Sequence, residues 1–236
     1  MMQGCMRAGD DPDAPALDHH AEKGVRVGAE LRFPRSPALY EEKKRWKLKY
    51  EGAAVAEYWK ENYPSAEEFK EELKAKVIKD KVKKRVISMT LKELKKRYGS
   101  RICVAAQAMV DEGAKRRQVH DASNWVRLNH RIKIVDYVAQ PGVHDSKAVA
   151  EEMEEAFIEH GTRWITIVWD FDSAHRVVAV DEEDWGLQAF VIEEGDLKAI
   201  LQGEEDKGVE VNTRGTFGVS SAGYWWARLA GGGNQG

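Results

Sequence analysis

The chain is short of the residues that build secreted or membrane frameworks. Two cysteines, Cys5 and Cys103, are too few for a disulfide framework or a zinc cluster, so a reducing compartment is expected. No apolar run approaches the roughly 18 residues that cross a bilayer. The N-terminus has no apolar core of a signal peptide. An intracellular place, cytoplasmic or nuclear, is the expectation, with no membrane partner. There is no internal repeat. What is present is charge: 33% of residues are charged and 42% hydrophobic, a soluble globular composition. A length of 236 residues suffices for one large domain or two small ones.

The net charge of −3 conceals an asymmetry. From Lys74 to Arg101 there are twelve Lys or Arg against Asp80 and Glu93. From Asp181 to Glu210 eleven acids face only Lys198 and Lys207. A basic block of that density suits a polyanion, because each neutralised phosphate releases counterions. A solvated helix face is the equal alternative.

Residues 1–35 are rich in Gly, Pro and Asp and poor in large apolar residues, which predicts a disordered leader. Residues 36–104 read as a helical, basic region. Leu39, Trp46, Tyr50, Val55 and Trp59 recur roughly on one helix face, and Ser65-Ala-Glu-Glu68 reads as a capping box. The stripe expected behind that box is Phe69, Leu73, Val77 and Ile78. Thr90-Leu-Lys-Glu93 is a second box, opening a helix that Gly99 closes. Beyond residue 104 the pattern becomes mixed. Arg116–His120 reads as a strand, Ile132–Val135 as a loop edge or short strand, and Asp145 or Ser146 as the cap of a helix ending at Gly161. A strand 164–170, a return 176–180, a hairpin from 187–193 and 209–213, and a last helix with Tyr224-Trp-Trp226 follow. Residues 231–236 read as a flexible tail.

The apolar run Trp164-Ile-Thr-Ile-Val-Trp169 ends in Asp170-Phe-Asp172. Side chains two apart on a strand share a face, so both carboxylates could serve one cation. The bland alternative for each is a turn or cap.

Three blocks in order then resemble the reverse transcriptases of retroelements. Lys115-Arg-Arg-Gln-Val-His-Asp121 with Arg127-Leu-Asn129 resembles their fingers motif. Asp170-Phe-Asp-Ser-Ala-His-Arg-Val-Val-Ala-Val180 looks like motif A, and Thr216-Phe-Gly-Val-Ser-Ser-Ala-Gly-Tyr224 like motif B. The resemblance covers about residues 110–228. It implies an α+β fold: right-hand polymerase fingers and an incomplete palm over 105–230, preceded by the helical N-terminal region. It implies RNA-templated DNA synthesis, with Mg²⁺ as cofactor and dNTPs and an RNA or DNA primer-template as partners. Residue by residue, Asp170 and the Phe171 carbonyl fall at the metal, and Asp172 at a variable position. Arg117 and Lys115 fall at the incoming triphosphate, where guanidinium geometry matches phosphate oxygens. Phe217 and Gly218 fall under the base pair, and Asp121 at a structural fingers position.

The sequence departs from that family in three ways. His175 stands where the family has the Tyr or Phe that senses the ribose 2′-hydroxyl. Thr216 and Ala179 replace prolines. No aromatic-x-Asp-Asp motif follows Tyr224, so two expected metal ligands, the thumb and any RNase H are missing. The expectation for this chain alone is an inactive, truncated fragment. Two other readings stand beside it. One is a nucleic-acid-binding remnant without chemistry, using the 74–101 block; the other is an unrelated Mg²⁺-dependent phosphotransferase using Asp170 and Asp172.

Overall fold

A computed structural model describes residues 10–17, 23–37, 40–46, 58–59, 61–137, 142–165 and 171–232. In the main sheet β3 (Val86–Thr90) pairs with β9 (Gly208–Asn212), antiparallel from Val86↔Asn212 to Thr90↔Gly208. In β9 the period-2 pattern is plain: Val209 and Val211 are buried while Glu210 faces outward. β9 also pairs antiparallel with β8 (Ala189–Phe190), and β4 (Cys103–Val104) joins β8 in parallel. With β2 (Tyr58–Trp59) parallel to β4, the mixed sheet has the order β2-β4-β8-β9-β3. Two smaller pairs complete the strands: β1 (Glu41–Glu42) with β7 (Asp136–Tyr137), and the hairpin β5 (Gln107–Asp111) with β6 (Arg116–His120). The fold is α+β. The expected strand at 116–120 and the pairing of the 187–193 and 209–213 segments are present. Helix α6 (Glu194–Leu201) fills the connection between those two segments.

The helices form where capping and burial agree. α3 (Leu91–Tyr98) opens on the Thr90 box, with the Glu93 amide donating to Thr90 Oγ1 at 3.2 Å and the Thr90 amide to Glu93 Oε2 at 2.7 Å. It ends at Gly99, and buries Leu91, Leu94 and Tyr98 against the sheet. The helix expected after Ser65 is instead two pieces, α1 (Pro64–Glu68) and α2 (Lys70–Val82), broken at Phe69. Tyr63 precedes α1, and Ser65 Oγ is engaged elsewhere, accepting the Met109 amide of β5 at 3.1 Å. Leu73 and Val77 are buried, but Ile78 is 61% exposed, so the predicted stripe is narrower by one residue. α4 (Leu128–Arg131) follows β6, with a short connection to β7; 132–135 carries no strand. α5 (Val143–His160) starts one turn earlier than expected, at Gly142. Asp145 acts from inside the first turn by accepting the Gly142 amide at 2.6 Å, and Gly161 closes the helix. α7 (Ser221–Gly232) is the last helix.

Two readings of the N-terminal third differ from what the structure holds. The described part of the expected leader is packed. Leu17, Val25, Val27 and Phe33 are buried in one cluster with Val178, Val180, Tyr224 and Trp225. Val25 bridges Val180 in parallel, Val27 N–H donates to Asp184 at 2.7 Å, and Trp225 Nε1 donates to the Arg26 carbonyl at 2.9 Å. An irregular segment held through its backbone shows no helical or strand period, which is why composition alone read it as loose. In the expected helical stretch 36–62, residues 41–42 and 58–59 are extended; Leu39, Tyr50 and Val55 lie outside the described residues. Of the expected strand 164–170, Trp164 and Ile165 are exposed and not in a strand, and 166–170 lie outside the described residues.

The basic and acidic blocks meet each other. Lys74 and Lys70 pair with Glu193 at 2.7 and 2.8 Å, Lys81 with Glu210 at 2.6 Å, and Lys95 with Glu205 at 3.0 Å. Arg97 pairs with Glu182, and Arg101 with Glu30 and Asp184. Five of the twelve cations of the basic block are therefore engaged by acids of the acidic block.

Candidate functional site

β6 puts Arg117 and His120 on a hairpin that packs on the loop before α7. The His120 amide donates to the Phe217 carbonyl at 3.1 Å. Buried Asn129 ties the junction together: its Nδ2 donates to the Gly218 carbonyl at 2.7 Å and to Ser123 Oγ at 2.9 Å, and its Oδ1 accepts the Ser220 amide at 2.8 Å. Gly218 sits at φ +112°, and a Cβ there would collide with the His120 carbonyl oxygen. Only glycine fits.

Around this junction, side chains from three distant segments converge. The Phe217 ring stacks on His175 at 6.1 Å between centroids and 20° between planes. The Arg117 guanidinium lies 5.8 Å from the Phe217 ring centre while its Nε bonds Glu112 at 2.5 Å. His175 belongs to a 3-10 turn, Ala174–Val177, and half-burial holds its pKa below the ordinary histidine value. Lys115 is exposed in the turn preceding β6. The structure thus brings Arg117, His175, Phe217 and Gly218 together, with Lys115 at the hairpin's tip.

The metal-side residues are placed differently. Asp170 lies outside the described residues. Phe171 is half exposed, its ring edge-on to Trp226 at 5.1 Å. Asp172 is exposed and accepts Ser173 Oγ at 3.0 Å. Among the described residues, which leave out Asp170, there is no group of three His, Cys, Asp or Glu side chains that could hold a metal. Asp121 is a turn hub instead. It accepts Tyr63 Oη at 2.5 Å, Asn124 Nδ2 at 2.8 Å and the amides of Ser123 and Asn124, both at 3.0 Å. Burial raises its pKa, but those donors outweigh burial and leave it below the ordinary aspartate value.

Sequence reasoning missed two residues here. Arg176 is mostly buried and clamps three elements: Nη2 bonds Asp80 of α2 at 2.5 Å, and Nη1 bonds Asn212 of β9 at 2.7 Å and Thr216 at 3.3 Å. Nothing in a short apolar return marks its arginine as internal. His120 is fully buried. Gln107 Nε2 donates to the Ala105 carbonyl at 3.1 Å and faces His120 Nδ1 at 3.1 Å, which makes Nδ1 the acceptor and places the proton on Nε2. Nε2 has no hydrogen-bond partner, and burial pushes the pKa down to about 4.

Two hollows open on the described surface. One, of about 520 Å³, lies beside the Gly218–His120 junction and is lined by Tyr63, Ser65, Asp121 and Asn124. The other, about 460 Å³, holds Arg26, Arg97 and Arg101, but Glu182, Glu183, Asp184 and Glu30 pair with them. Acids neutralise that second hollow, so it is no anion site. Outside the lining of both hollows, Arg117, Phe217 and His175 offer a guanidinium shared with Glu112, an aromatic ring and an imidazole, groups suited to phosphate oxygens and to a stacked base. No helix among the described residues is long and apolar enough to cross a membrane. Comparisons with protein-family models, with curated proteins and with solved structures returned no match.

Proposed function

We propose that this chain carries the nucleotide-facing part of a reverse-transcriptase-like, right-hand polymerase, with the β5–β6 hairpin as fingers and the mixed sheet as part of a palm. The observation that carries the reading is the meeting of Arg117, His175 and Phe217, from three segments far apart in sequence, over the Gly218–His120 junction. Those segments are the ones whose sequences resemble the fingers motif, motif A and motif B. In this reading Arg117, aided by Lys115, takes the triphosphate of a dNTP, and Phe217 with His175 takes its base and sugar. A primer-template duplex lies alongside.

Mg²⁺ enters the proposal through Asp170 and the Phe171 carbonyl. Mg²⁺ supplies charge neutralisation and nucleophile activation in nucleotidyl transfer. Asp172, two residues on from Asp170, is the nearest described carboxylate in sequence, and nucleotide binding is the property this reading is tested on. The reading with no chemistry and a basic block on nucleic acid is less favoured, because acids of the same molecule pair with that block.

The test is equilibrium binding of a fluorescent dNTP and of a labelled primer-template. Arg117→Ala should weaken dNTP binding about tenfold or more, the order of one charge-assisted phosphate contact. Lys92→Ala, on the exposed face of α3, should leave it unchanged. Equal affinities for the Arg117 and Lys92 variants, or no dNTP binding at all, would overturn the proposal.

A further inference from the structure

α5 has eighteen residues and none of them is buried. Four of its apolar residues nonetheless share one stripe: Val149, Met153, Ala156 and Phe157 follow i, i+4, i+7 and i+8 spacing, while Val143 and Ile158 lie off it. Val149 and Phe157 are 54% and 53% exposed, and Met153 and Ala156 only half-buried. A helix about 27 Å long at 1.5 Å per residue, with that stripe open to water, gains little from its own chain. Six carboxylates and one lysine surround the stripe. Asp145, Glu152 and Glu159, spaced by seven, run along its edge.

The complementary surface is on the same molecule. α2 buries Leu73 and Val77, while Ala75, Ile78, Lys79 and Val82 form its outward face. Ile78 is 61% and Val82 80% exposed. Lys74 and Lys81, on one flank, are engaged by Glu193 and Glu210. Lys79 and Lys83, on the other flank, are exposed and make no ion pair among the described residues. One open stripe is edged with carboxylates and the other with ammonium groups.

We propose that α5 of one copy packs its Val149–Met153–Phe157 stripe on the Ile78–Val82 face of α2 in a second copy, with Glu152 and Glu159 opposite Lys79 and Lys83. The charges select this occupant. Two α5 helices would set carboxylates against carboxylates, and two α2 faces would set lysines against lysines, each a repulsive register. The contact is heterologous, so it adds copies head-to-tail rather than closing as a symmetric pair, unless a ring forms. One helix-on-helix contact covers less than the roughly 1,200 Å² of a stable interface, so the association is weak and concentration-dependent. It is independent of the dNTP-binding reading.

The experiment is sedimentation velocity on the nuclease-treated full chain over rising concentration. The weight-average mass should rise at about 50 mM salt and return to the monomer at about 500 mM, where the Debye length falls to about 4 Å and screening weakens the ion pairs. Val82→Glu should abolish the rise. So should Lys79→Glu/Lys83→Glu and, separately, Glu152→Lys/Glu159→Lys. All five positions are exposed, so unchanged circular dichroism and melting are expected throughout. Mixing the two charge-reversed proteins should restore association, because each now offers the charge the other lost. A monomer at every concentration would overturn the proposal. So would association indifferent to these substitutions, or a mixture that stays monomeric.

Discussion

At Gly218 a single hydrogen atom decides the geometry of the site. The backbone is held at φ +112° with the His120 carbonyl where a Cβ would stand. Gly218→Ala should cost at least about 2 kcal/mol, from strain in the left-handed region plus displacement of the hairpin. Urea unfolding measures the loss, and dNTP affinity should fall with it if Phe217 shifts. That glycine was legible in the sequence, because a Phe-Gly pair before a helix requires a special turn whatever its function. His120 was not legible, because burial and a fixed tautomer are properties of packing. Its neutral form is the folded form, with Arg176 adding to the depression of its pKa and Asp121 opposing it. Between the ordinary value near 6.5 and the folded value of about 4, the unfolded chain takes up a proton that the folded chain refuses. The stability is therefore complete above pH 6.5 and is lost as pH falls toward 4, by up to about 3 kcal/mol. Denaturation from pH 7.5 to 5 should show this decline, and His120→Phe should flatten the profile relative to the wild type.

Elements whose ends are written in local chemistry were the ones the sequence disclosed. The Thr90–Glu93 box, the Gly99 and Gly161 stops and the β6 strand depend on neighbours within a few residues. The missing Ser65 capping box depends on β5, because the Ser65 hydroxyl accepts the Met109 amide across the fold. Local pattern cannot report that competition. Element-to-element clamps were hidden for the same reason, Arg176 above all. It joins α2, β9 and the loop before α7 through Asp80, Asn212 and Thr216, while burial lowers its pKa and Asp80 opposes that shift. Removing one partner of a mostly buried pair leaves the other charge uncompensated. Arg176→Met should therefore cost about 3 kcal/mol or more in urea unfolding. Asp80→Leu in the same chain should recover part of it, the coupling a double-mutant cycle isolates. Additive losses would show that the two side chains do not act as a pair.

For the whole molecule, opposite charge blocks far apart in sequence became one another's partners, and the N-terminal segment became core. The α+β class followed from changes of period along the chain. The placement of residues 10–17 and 23–36 did not, because those stretches are fixed by single contacts: Leu17 and Phe33 in the core, Arg26 on Asp184, Arg35 on Asp136 at 3.0 Å. The last of its anchors is Arg228 of α7. It is wholly buried between Asp13 and Asp136, with its guanidinium over the Tyr40 and Tyr224 rings at 4.9 and 3.7 Å. Burial raises the Asp13 pKa, against the pull of Ser36 and of Arg228. Deleting the cation leaves two carboxylates in a dry site, and the cheapest relief is to move Asp13 and the segment carrying it into water. Arg228→Leu should accordingly do more than lower stability by about 3 kcal/mol. Limited trypsin digestion should cut the variant first at Arg26, Arg32 or Arg35, well before any site in α2 or α3, while the wild-type segment resists. Cleavage spread evenly over the molecule would mean that Arg228 supports the fold globally and does not anchor this segment.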